Sequence, residues 1–250
     1  MTRLIGPTVA ATTNRVFPND IDYRAALTGT GCIGFWRFDT PSSLATSGGK
    51  VASINNWKAG GPALSLHVGG GVVGATRVTG DGDRGQLRFA KADKTTYDLA
   101  TPPAMSAAWS LVFHATLRGI NGSDFVNLFG DITFPAPWAG LSMVGRSLIF
   151  SGAKGAEATA QSLADNAIVS VVASYDGAGN ARLDLNGRSF FDGGISGVWA
   201  PSAMQFGGID FPIAGDVDHV AVYSVDLHSA GQAARLAALQ EWQAARPLSL

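Results

Sequence analysis

Charge, cysteine and glutamate are what this sequence has least of. Only 15% of its 250 residues are charged, with 18 Lys and Arg against 19 Asp and Glu, for a formal net charge of -1. The basic residues never gather beyond a pair, so the chain lacks the electrostatic footprint of a nucleic-acid binder, and nucleic acid is not an expected partner. The single cysteine, Cys32, excludes an internal disulfide. The fold must then rest on its core, as in a chain folding in a reducing cytoplasm, with Cys32 expected as a buried free thiol. No stretch approaches the roughly 18 apolar residues of a membrane span, and no helix is basic along one face, so membrane insertion is not expected. The start, Met1 to Pro7, lacks the apolar run of about 7–15 residues that a secretory signal needs. The expectation is synthesis in the cytoplasm without a signal peptide, or removal of one.

What is present is apolar and turn-rich. Hydrophobic residues make up 46% of the chain and glycine contributes 32 residues; pairs such as Gly48-Gly49 and Gly193-Gly194 mark tight turns. The segment Trp109 to Leu117 places Trp109, Leu111, Phe113, Ala115 and Leu117 on one face and Ser110, His114 and Thr116 on the other. That alternation predicts a strand with one core face and one polar face. Ala181 to Arg188 alternates into Asn186-Gly187, the dipeptide suited to the two positive φ angles of a type I′ hairpin. With Ile168 to Tyr175 ahead of it, a three-strand meander is predicted, and Val217 to Tyr223 reads as a further strand. Ser229 to Gln232 has the pattern of a capping box before a helix over about 230–245, with Leu236, Leu239 and Trp242 on one side. Residues 1–31 show no sustained periodicity and read as an extended N-terminal arm ahead of a domain at 32–250. The fold class expected is therefore all-β: a two-sheet antiparallel sandwich with an N-terminal arm and a C-terminal helix.

Several segments recur in a familiar order. Phe35-Trp36-Arg37-Phe38-Asp39, Asn56-Trp57, Gly85 to Phe89 and Ala108 to Leu111 stand in the first half. Ser174 to Gly177, Leu185-Asn186-Gly187, Phe206-Gly207-Gly208 and Ala214 to Ser224 stand in the second. Over roughly residues 33–243 this resembles the concanavalin A-like lectin/glucanase superfamily in its laminin-G-like, bacterial or phage form. The resemblance implies a jelly-roll sandwich with function on its loops and concave face. It leaves the activity open, because the same sandwich hosts lectins, glycosidases and structural domains.

The chemistry must come from residues. A retaining glycosidase needs two carboxyl groups about 5–5.5 Å apart, but the two glutamates, Glu157 and Glu241, are far apart in sequence and the E-x-D-x-x-E arrangement is absent. No enzyme activity is expected. The four histidines, His67, His114, His219 and His228, form no metal-binding spacing, and those in strands are expected to be hydrogen-bonded on a sheet face. Asp81 and Asp83 sit in a Gly-rich turn that can hold calcium, with an ordinary turn as the alternative; no other cofactor is implied. Sugar binding needs aromatic rings and planar polar groups near turns. The candidates are Trp138 in Phe134-Pro135-Ala136-Pro137-Trp138, Trp199 in Gly197-Val198-Trp199-Ala200-Pro201, Trp57 and Asn121, whereas Trp36 and Trp109 read as core.

Three functions stay open. The first is a non-catalytic module binding cell-surface glycan and displayed on the exterior of a phage-like particle, with residues 1–31 contacting neighbouring structural subunits and homo-oligomers allowed. The second is a purely structural virion decoration protein. The third is a secreted carbohydrate-binding protein or unusual glycoside hydrolase.

Overall fold

The computed structural model describes residues 20–79, 85–100, 108–120, 125–131, 139–151, 157–195 and 204–245. Among these, seventeen strands form two sheets and two α-helices cover part of one of them. The first sheet runs β15 (Arg188–Gly194), β14 (Asn180–Leu185), β13 (Ala167–Tyr175), β8 (Trp109–Leu117), β17 (Gly215–Tyr223), β6 (Gly85–Phe89) and β5 (Thr76–Thr79). Strand β1 (Cys32–Arg37) pairs with the far half of β17, Phe35 opposite Ala221 and Arg37 opposite His219. The second sheet runs β12 (Glu157–Ser162), β11 (Ser147–Ser151), β10 (Ala139–Val144), β9 (Phe125–Asp131) and β16 (Met204–Gly207), then β7 (Thr96–Leu99), β4 (Leu64–Leu66), β3 (Lys50–Ile54) and β2 (Leu44–Ser47). Every pairing is antiparallel, so the all-β sandwich expected from the alternation is the architecture observed.

The core between the sheets is fed by alternate residues. Leu111, Phe113, Ala115 and Leu117 of β8, Val169, Val171 and Ala173 of β13, and Val220 and Val222 of β17 meet Phe129, Leu141, Phe150 and Phe206 from the opposite sheet. The expected Asn-Gly hairpin is present: Asn186 and Gly187 have φ of 53° and 73° between β14 and β15. Both positive angles identify the type I′ geometry, which matches the right-handed twist of the strands it joins.

Two expectations change. The second face of β8 is polar but not exposed, since all nine residues of β8, and all nine of β17, are buried. The reason is a second apolar layer on the outside of the first sheet. Helix α2 (Ala233–Ala244) sets Leu239 and Trp242 onto Phe35, Val112, Val172, Ala221 and Tyr223. Ser110 and His114 are tolerated there because each is hydrogen-bonded: Ser110 Oγ lies 2.7 Å from the Val225 carbonyl and His114 Nδ1 lies 2.5 Å from Ser170 Oγ. The second change concerns residues 20–31, placed with the arm in the sequence reading. Asp20–Leu27 is helix α1, and its Tyr23 and Leu27 join the same outer layer beside α2. At the start of α2 the capping box does not form. Ser229 Oγ turns back to the Asp226 carbonyl at 2.7 Å, and a 3-10 turn at Ala230–Gln232 leads into the helix.

Candidate functional site

Strand β1 ends at Arg37, and the chain then turns through Asp39 and Thr40 into a single 3-10 turn at Pro41–Ser43. It leaves along β2, reverses at Gly48 and Gly49, whose φ of 57° and 77° suit glycine, and returns along β3 to Asn55. Backbone bonds then fasten the return. Asn55 N donates to Ser43 O at 2.7 Å and Trp57 N donates to Phe35 O at 2.7 Å. The Asn56 side chain completes the closure: its Oδ1 accepts from Phe35 N and Lys58 N at 3.0 and 2.9 Å, and its Nδ2 donates to Pro62 O at 3.1 Å. Lys58 Nζ donates to the Cys32 carbonyl.

The two folded-back segments and α1 enclose an open cleft of about 380 Å³, lined by Arg24, Arg37, Thr40, Ser42, Ser43, Asn55, Asn56 and Trp57. Its back wall is rigid. Arg37 is buried, and donates from Nε and Nη2 to the two oxygens of Asp39 at 3.0 and 2.7 Å. The Arg37 guanidinium carbon lies 4.4 Å from the Trp57 ring centroid and 5.6 Å from that of Trp242, within cation–π range. The Trp57 and Trp242 rings stack at 6.0 Å, and Phe35 meets both edge-on at 5.4 and 5.3 Å. Trp57 is thus held from behind and remains partly exposed. The front of the cleft is different. Arg24, Ser42 and Asn55 are exposed, and among the described residues their side chains make no hydrogen bond or ion pair.

Of the candidates read from the sequence, Trp57 alone falls in this cleft; Trp138, Trp199, Asn121, Asp81 and Asp83 lie outside the described residues. Arg24, Ser42 and Asn55 were not singled out. The signal available for Arg37 was its place in the aromatic run Phe35-Trp36-Arg37-Phe38, where an isolated cation between rings implies a partner.

One other constellation looks chemical. Asp184 Oδ2 lies 3.0 Å from His228 Nε2, off the axis of a good hydrogen bond, and His228 Nδ1 lies 2.8 Å from Ser174 Oγ, which is 2.7 Å from Ser110 Oγ. The order carboxylate, imidazole, hydroxyl matches that of a nucleophilic triad. The hydroxyls, however, are 1% and 0% exposed, beneath the segment that leads into α2, where Ser110 Oγ also accepts from Leu227 N at 2.9 Å. A nucleophile must reach its substrate; this one is a structural clasp between β8, β13, β14 and the C-terminal segment. The Cys32 thiol is likewise no nucleophile, since burial pushes its pKa up to about 12 against the opposing charges of Lys58 and Arg235. The histidines in strands are bonded on the outer sheet face, His219 Nδ1 to Asp218 Oδ2 at 2.7 Å. Among the described residues no group of three or more His, Cys, Asp or Glu is placed to hold a metal ion.

No family model and no curated protein matches the chain. Solved structures do match. The binding domain of Paraclostridial Mosquitocidal Protein 1 superposes with a TM-score of 0.59 at 12% identity, over 85% of this chain and 52% of that one. The botulinum neurotoxin serotype G binding domain gives 0.55 at 12%, over 86% and 51%. Trypanosoma rangeli sialidase gives 0.56 at 16%, over 86% and 33%. The chain therefore spans about half of the two binding domains and a third of the sialidase. At these identities the likeness is one of fold, a two-sheet antiparallel sandwich that is not assignable to the concanavalin A-like family alone.

Proposed function

We propose that this domain is a non-catalytic recognition module that binds a saccharide in the cleft across Trp57. The observation that carries the proposal is the division of labour in that cleft. A partly exposed indole is locked from behind by Arg37, Phe35 and Trp242, and around it stand exposed polar side chains with unused hydrogen-bonding capacity. A sugar presents an apolar ring face and several hydroxyls, and binding sites for such ligands combine few oriented polar groups with an aromatic platform. The fold likeness to two toxin binding domains supports the recognition side of this reading. Against hydrolysis stands the lining itself: among the described residues no Asp or Glu side chain lines the cleft, whereas glycosidic cleavage uses two. In the particle-display reading of the sequence, Tyr23 and Leu27 are not available to a neighbouring subunit, because both are buried in the domain.

The test is an array of soluble oligosaccharides probed with the wild-type chain, Trp57→Ala and Asn55→Ala, followed by an assay for released reducing ends. Saturable binding is expected, weakened by about 1 kcal/mol in Trp57→Ala and less in Asn55→Ala, with no reducing ends formed. Binding unchanged in both variants would place the site elsewhere, and absence of binding would favour a purely structural cover.

A further inference from the structure

The charged groups at the cleft are unevenly satisfied. Two guanidinium groups line it, Arg24 from α1 and Arg37 from β1. Arg37 is engaged with Asp39 through two hydrogen bonds, and Thr40 Oγ1 donates to the same carboxylate at 3.2 Å. That pair is internally neutral, and Asp39 is turned toward Arg37 rather than the opening. Arg24 has no such partner: among the described residues its side chain makes no ion pair and no hydrogen bond. The helix that carries it is nevertheless anchored. Tyr23 and Leu27 on either side of it are buried, and Arg235 Nε from α2 holds the Ala26 carbonyl at 3.0 Å. A planar fork of donors is thus presented to the cleft by an anchored helix, and among the described residues no carboxylate in the lining competes for it.

Several other basic side chains are engaged in ion pairs, although among the described residues Arg188 and Lys94 are not. Arg88 and Arg118 converge on buried Asp216 at 2.8 and 2.9 Å, and Arg182 pairs with Asp192 at 3.1 Å. Lys50 pairs with Asp93 at 3.3 Å. Arg24 instead lines a cleft that also offers an aromatic ring and an amide.

Resting on the saccharide reading of the cleft, we infer that its ligand is anionic: a short saccharide whose carboxylate or sulfate pairs with Arg24 while a ring lies against Trp57 and hydroxyls meet Asn55 and Ser42. A guanidinium recognises both anions by paired N–H donors, so the shared chemistry is a planar or tetrahedral oxyanion on a sugar. At about 380 Å³ the cleft is near the lower end of ligand pockets, roughly 300–1,000 Å³, which fits a terminal residue or disaccharide better than the interior of a long chain.

The experiment uses the full chain and an array carrying neutral oligosaccharides, uronic-acid-terminated oligosaccharides with their methyl esters, and sulfated oligosaccharides, read at on the order of 50 and 300 mM salt. The expected result is binding to uronic-acid or sulfated members that falls at the higher salt, with the methyl esters at least tenfold weaker. Arg24→Gln should weaken the anionic ligands about tenfold and the esters several-fold less, and Arg24→Lys should restore part of the loss. Arg24 is exposed, so an unchanged thermal midpoint shows that the variants are folded. Equal binding of the acids and their esters, or indifference to Arg24→Gln, overturns the anionic assignment while leaving the saccharide reading intact. Absence of binding across all sectors overturns both. Loss in sulfated but not uronic members, or the reverse, identifies which oxyanion the site takes.

Discussion

At the scale of single residues, the structure separates tryptophans that build the core from the one that, among the described residues, lines the cleft. Trp36 is fully buried, its Nε1 donating to Pro62 O at 3.0 Å and its ring lying against the Cα of Gly34. Only glycine leaves room there, so Gly34→Ala is expected to lose about 1–3 kcal/mol by overpacking, measurable by urea titration. Trp109, 4.9 Å from Phe150 and 6.1 Å from Tyr175, should lose about 3–5 kcal/mol on truncation to alanine in the same measurement. Asp216 supplies a pH test. Burial alone would raise its pKa, but the hydrogen bonds and charges of Arg88 and Arg118 outweigh that, so the net shift is downward. Its folded pKa lies below the unfolded value of about 3.9. The stabilisation is therefore present above that value and is lost as pH falls through the folded pKa. Asp216→Asn should lower stability at pH 7 by about 1–3 kcal/mol and flatten the acid limb of the stability curve below about pH 4; an unchanged acid limb would show that this cluster does not govern it. Trp109 was legible as core because it sits inside a run of alternation, and Trp36 because it sits in a short aromatic-rich strand. Trp57 was not decidable from sequence, because its flanks Asn55-Asn56 and Lys58 carry no period.

At the scale of elements, the helices explain why a sheet that reads as half-polar is buried on both sides. Helix α2 adds Leu239 and Trp242 to the outer face of the first sheet, each contributing roughly 1.5–3 kcal/mol. Ending the chain after Ser229 should therefore remove several kcal/mol, expose Phe35, Val112 and Tyr223, and increase binding of an apolar dye. A truncated protein as stable as the full chain would contradict the docking. The strands β8, β13, β14 and β17 were readable because period-2 alternation and the Asn186-Gly187 turn agree with each other. Helix α1 was not. Eight residues are too few to be helical in isolation, and α1 is stable only through Tyr23 and Leu27 packing beside α2, a contact over two hundred residues away in sequence. The Ser229 cap failed for a related reason: a serine hydroxyl chooses between two nearby backbone partners, and the turn at Asp226 offered the closer one.

At the scale of the whole molecule, the cleft exists because β1 pairs with β17, the last strand in the chain. That pairing carries Arg37 beside His219, and Arg24 together with residues from 37–43 and 55–57 lines the cleft. No local pattern announces such a meeting, which is why a sandwich was legible in the sequence and its cleft was not. The same topology couples the site to the C-terminal helix, since Trp242 backs both Trp57 and Arg37. Replacing Trp242 by leucine should thus weaken ligand binding as well as stability, although Trp242 does not line the cleft. The central claim, recognition across Trp57 without turnover, is tested most directly by following the indole N–H resonances of the six tryptophans while a saccharide selected from the array is titrated in. The account predicts that the Trp57 resonance, assigned by its loss in Trp57→Phe, shifts saturably, that the Trp36 and Trp109 resonances stay still, and that the saccharide is recovered intact after a day. A Trp57 resonance that does not move at saturation, or a saccharide that is cleaved, would contradict it.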